Sequence, residues 1–138
     1  MIPSSSSQTS LGRRTVLLVD DDPFLAYSRK FVLEREFNDV LRATDAAEAF
    51  IRLDEPGVAD RLLMVIVALG QPGVAGPAFV NELTFRIYGV PILVLGRTGE
   101  VAHDYRGEQV HFLPRHATPE DVLAGALDIL AHPHPKVA

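Results

Sequence analysis

Continuous aliphatic runs alternate with amphipathic stretches along the chain, and the alternation predicts five strand–helix units. The first run, Val16 to Val19, is apolar at every position, as a strand reads when both of its faces are covered. Asp22-Pro23 then supplies a helix start, a capping carboxylate followed by a proline in the first turn. That helix is expected to run towards Phe37, with Phe24, Tyr27, Phe31 and Val32 or Leu33 as its apolar stripe. Asn38 and Asp39 break it before a short strand, Val40 to Ala43. Thr44 or Asp45 caps a second helix, Ala46 to Leu53, whose apolar face is Ala49, Phe50 and Leu53. After the Glu55-Pro56-Gly57 loop comes Leu62 to Val67, the most apolar run and the expected central strand.

In the second half, a Gly/Pro loop from Gly70 to Pro77 leads into a third helix, Ala78 to Tyr88. Gly89-Val90-Pro91 turns into the buried strand Ile92 to Leu95. The stretch Arg97 to Glu108 carries two glycines, several charges and few apolar residues, so a helix there is short or disordered. Val110 to Leu113 reads as a fifth strand. Thr118-Pro119-Glu120-Asp121 opens the last helix as a capping motif, and Val122, Leu123, Ala126, Leu127 and Leu130 give its stripe. The expected organisation is a Ser-rich disordered leader over 1–13, one domain over 14–132 and a tail over 133–138.

Composition narrows the picture. The 138 residues suit one domain with a full core, and 47% hydrophobic with 22% charged residues is ordinary for a soluble protein. A net charge of -5 gives no overall signal for nucleic acid or for an anionic membrane. The absence of cysteine excludes disulfides and thiolate chemistry, and no apolar run approaches the roughly twenty residues of a membrane span. A cytoplasmic location is the expectation. The histidines His103, His111, His116, His132 and His134 share no ligand spacing with an acidic partner and read as surface residues.

Continuous strands separated by amphipathic helices argue for an α/β fold, a flavodoxin-like doubly wound parallel sheet of order 2-1-3-4-5 with helices on both faces. Ligands in such sheets sit beyond the carboxyl ends of the strands. Asp20, Asp21 and Asp22, then Ala68, Gly96 and Arg115, all fall at such ends, so position in the sequence predicts one crevice.

From Arg14 to Ala131 the chain resembles the response-regulator receiver domain of two-component signalling. Val16 to Pro23 is similar to that family's first strand and acidic pair, with Asp20 and Asp21 in the pair positions. The resemblance sets Ala68 at the phospho-acceptor position, four residues before Pro72 and eight before Gly76. Gly96 stands where the family has a Thr or Ser, Phe112 at the aromatic-switch position, and Arg115-His116 where it has Lys and a cis proline. A methyl group offers no oxygen for in-line attack on phosphorus, so the usual phosphorylation is excluded at residue 68. The resemblance implies a magnesium site built on carboxylates. Without an acceptor carboxylate, Asp20 and Asp21 could hold the ion weakly or not at all.

The three aspartates also read as a plain helix cap with first-turn carboxylates. Two close carboxylates repel, and an Asp–Arg115 bridge is one expected relief. The favoured function is a degenerate, non-enzymatic receiver with no cofactor that acts by binding another signalling protein, such as a kinase, regulator or output protein. A homodimer is open, and neither nucleic acid nor membrane is expected as a partner. Its output surface would be remodelled around residues 97–108. One alternative is a haloacid-dehalogenase-like phosphatase with Asp20 as nucleophile and Asp22 as acid/base, though the later Lys and acidic pair of that family are missing. Another is a receiver phosphorylated at a non-standard residue such as Asp22 or Thr98.

Overall fold

The computed structural model describes residues 14–68, 76–96 and 109–132. Five parallel strands form one sheet in the order β2-β1-β3-β4-β5. They are β1 (Thr15–Asp20), β2 (Asp39–Ala43), β3 (Leu62–Ala68), β4 (Ile92–Gly96) and β5 (Val110–Pro114). The helices are α1 (Pro23–Leu33), α2 (Ala46–Asp54), the single turn α3 (Val58–Arg61), α4 (Gly76–Arg86) and α5 (Pro119–Ala131). The doubly wound order read from the sequence is the order found, with β3 at its centre. The helix expected within residues 97–108 lies outside the described residues, as does the Gly/Pro loop expected from Gly70 to Pro77 up to residue 75; Gly76 and Pro77 instead begin α4.

Side chains of β1 point alternately to the two faces, and each face has its own core. Leu17 and Val19, with Val65, Val67, Ile92 and Val94, pack under α2, α3 and α4. Val16 and Leu18, with Met64, Ile66, Leu93 and Leu95, pack under α1 and α5. No position of β1 is exposed, which explains why its sequence shows no alternation. On the first face Phe50 meets Phe79 edge-on at 5.4 Å, and the Arg86 guanidinium lies 4.3 Å over the Phe50 ring.

Local signals set the helix starts. Asp45 caps α2 by accepting from the Glu48 N–H at 2.8 Å, while Glu48 Oε1 accepts from both the N–H and hydroxyl of Thr44 at 2.7 Å. Thr118 and Asp121 form the expected reciprocal box at α5. Gly57 precedes α3 at φ +82°, a left-handed conformation that lets the chain reverse between α2 and α3.

The phase of α1 differs from the sequence reading. Its buried residues are Ala26, Arg29, Val32 and Leu33, whereas Phe24, Tyr27 and Phe31 are 84, 74 and 61% exposed. At about 100° per residue the aromatics lie on the opposite side of the helix from the buried set. The helix also stops at Leu33, and Phe37 enters the core from the loop that follows. An arginine in the buried phase hid the true stripe, and aromatic residues in the outer phase imitated one.

Two substitutions on this helix separate the alternatives. Phe31→Ser should shift the urea unfolding free energy by less than about 0.5 kcal/mol, as at an open surface position. Leu33→Ala should cost about 2–5 kcal/mol through the cavity it leaves.

Candidate functional site

The carboxyl ends of β1 and β3 lie side by side, with Asp20 and Ala68 paired in register. Gly96 ends β4 opposite Pro114 at the end of β5, and Arg115 follows directly. All the strand-end positions singled out in the sequence therefore fall along one edge of the sheet. Ala68 is buried in the core on the α1/α5 side, so its methyl packs rather than lining an open cavity.

Asp20 is fully buried, and both of its carboxylate oxygens are engaged. Oδ2 accepts from Arg29 Nη1 at 2.7 Å, and Oδ1 accepts from the Asp22 backbone N–H at 3.1 Å. Arg29 rises from the second turn of α1, is only 4% exposed, and forms a buried ion pair with this carboxylate. A second guanidinium, that of Arg42 on β2, donates from Nε and Nη2 to the Asp20 carbonyl oxygen at 3.2 and 3.0 Å. Asp20 is thus held at side chain and main chain by two arginines.

Asp22 plays the bland role that the sequence left open. Its Oδ1 accepts from the N–H groups of Phe24 and Leu25 at 2.9 and 3.1 Å, capping α1. Asp21 is partly exposed between them. Of the two carboxylates for which a bridge to Arg115 was an expected relief, Asp20 is taken by Arg29 from the helix behind it. Arg115 itself is half-buried after β5, and Phe112 projects from that strand to an exposed position.

Sequence reading missed Arg29 and Arg42, the two described residues whose guanidiniums hold Asp20. A signal for Arg29 was present: Ala26, Arg29 and Leu33 follow helical spacing, and the charge lies nine residues after an aspartate that needs a partner. Arg42 carried none, since a charged residue in an edge strand is the usual protection of that edge.

The magnesium site that the resemblance implies does not fit these donors. An octahedral ion requires several hard oxygens. Here one carboxylate is committed to a guanidinium and an N–H, a second caps α1 through its Oδ1, and residue 68 has no oxygen in its side chain. Among the described residues no group of three or more His, Asp or Glu side chains could hold a metal ion.

His111 on β5 has its Nε2 buried without a hydrogen-bond partner, and burial lowers its pKa from the ordinary 6.5. The unfolded chain therefore binds a proton more readily than the folded one, and stability falls as pH drops below about 6.5. Thermal melts between pH 7 and pH 5 should show this loss, and His111→Phe should reduce it.

Removing either partner of the Asp20–Arg29 pair should destabilise the fold by about 3–5 kcal/mol, since each deletion strands a buried charge. The double variant Asp20→Leu/Arg29→Met should lose much less than the sum of the two. Urea unfolding of all four proteins measures that coupling.

No protein-family model and no curated protein matches the chain. Solved structures do. A response regulator receiver domain protein from Clostridium thermocellum is 20% identical, with 86% of this chain and 95% of that chain covered at a TM-score of 0.70. The chemotaxis response regulator CheY4 of Vibrio cholerae is 24% identical, covering 84% of this chain and 97% of that one at 0.64. A structure described as adenylate cyclase from Rhodopirellula baltica is 22% identical, covering 86% and 88% at 0.68. The chain has the fold of the CheY-like receiver domains.

Proposed function

We propose that the chain is a degenerate receiver domain of two-component-type signal transduction, not phosphorylated at the usual position, that works by binding another protein. The observation that carries this reading is the register of β1 and β3, which sets the methyl of Ala68 beside the acidic strand end. No attacking oxygen stands at that position, and Gly96 brings no hydroxyl to the neighbouring strand end. With the chemistry gone, a folded surface is what remains for function. Large aromatic side chains standing open on α1 are of the type that protein interfaces favour. The partner is a signalling protein, whether kinase, regulator or output protein, and the site of action is the cytoplasm. Among the described residues no helix is long and apolar enough to cross a membrane.

The two enzymatic or phospho-accepting alternatives are less well supported. A dehalogenase-like nucleophile needs an accessible carboxylate, whereas Asp20 is buried against Arg29. Asp22 spends its Oδ1 on the cap of α1, and a role as acid/base or acceptor would compete with that cap. Thr98 lies outside the described residues.

Incubation of the chain with acetyl phosphate and magnesium, followed by intact-mass measurement, distinguishes the three. The expected result is an unchanged mass. A stable gain of one phosphoryl group overturns the proposal, and peptide mapping would then place the acceptor.

A further inference from the structure

We infer that Arg29 is a tethered counter-ion that takes the place of a divalent cation at the acidic strand end, making this edge of the fold independent of metal. The inference stands on the Arg29 and Arg42 geometry and does not rest on the proposed function. Asp20 uses one carboxylate oxygen for the Arg29 guanidinium and the other for the Asp22 N–H, so a metal ion must break one of these contacts to reach it. Breaking the first strands a buried guanidinium. Arg29 sits in the buried phase of α1, beside Ala26 and Leu33, and its Nε is already without an acceptor. A displaced Arg29 therefore has no second buried anion to turn to among the described residues, where Asp20 is the one buried carboxylate. Arg42 sets a second positive charge at the Asp20 carbonyl oxygen and adds to the repulsion of an incoming cation. Asp20 is thus opposed by two guanidiniums, and the charge a metal would neutralise on its carboxylate is already neutralised within the chain.

The test uses the full chain and Mn2+ alone, with binding read from the loss of the free-ion electron paramagnetic resonance signal. The native chain should leave that signal close to its value in buffer. Arg29→Met should bind Mn2+ about tenfold or more tightly, and adding Asp20→Asn should remove the gain. Equal affinity of the native chain and Arg29→Met, whether strong or negligible, overturns the inference. Should Arg29→Met fail to fold, the native chain decides by itself. Its melting temperature should be the same in millimolar MgCl2 as in NaCl of equal ionic strength, and a rise specific to magnesium overturns the inference. A native chain that binds Mn2+ but gains no phosphoryl group would sink this inference and leave the proposed function standing.

Discussion

The buried contact between Arg29 and Asp20 ties three elements together at the point where the sheet meets its crevice. Asp20 ends β1, Arg29 belongs to α1, and the second carboxylate oxygen holds the turn between them through the Asp22 N–H. Arg42 adds β2 by way of the Asp20 carbonyl. Taking both charges out of water costs several kcal/mol per ion, and a single end-on contact is a weaker return than a forked pair. The unpartnered Arg29 Nε costs about another 1–3 kcal/mol. Stability alone does not recommend such an arrangement over an apolar one. Its consequence is specificity of position: the strand end, the helix and the turn can adopt one relative placement without exposing a charge to an apolar core.

That placement depends on the sheet beneath it. β1 is buried on both faces and paired on both edges, so Asp20 has neither solvent nor a free ladder position to relax into. The register with β3 then fixes Ala68 as its neighbour. A carboxylate at residue 68 would bring a second negative charge beside Asp20, where among the described residues one guanidinium reaches the side chain. Alanine at 68 and arginine at 29 are therefore mutually consistent. The first removes the charge that would call for a cation, and the second supplies a cation to the carboxylate that remains.

Much of the fold was legible because both faces of the sheet are covered. Unbroken aliphatic runs at Val16 to Val19, Leu62 to Val67 and Ile92 to Leu95 follow from that burial, and proline, glycine and capping carboxylates marked the breaks between them. Strand ends, and hence the members of the crevice, could be read from these boundaries. The side-chain pairing inside it could not. The resemblance offered Arg115 as a basic partner for the acidic pair; the partner of Asp20 comes from the inner face of α1. That face was misread because apolar periodicity gives a stripe its phase only if the buried positions are apolar. In α1 one buried position is an arginine, and three aromatic side chains face out.

A bound ion and a tethered guanidinium neutralise the same carboxylate but differ as elements of a switch. An ion exchanges with solvent, its occupancy follows concentration, and it can bridge to an incoming phosphoryl group. A guanidinium anchored in α1 has unit occupancy under all conditions in which the helix is folded. A ligand can move an equilibrium only through differential affinity for two states, and a carboxylate already paired within the chain offers a cation little of it. On the proposed function, a binding partner must then act elsewhere. The surface of α1 is a physically reasonable place for it: Arg29 faces inward and Phe24, Tyr27 and Phe31 outward from the same few turns, so whatever covers the aromatics bears on the helix that holds the counter-ion.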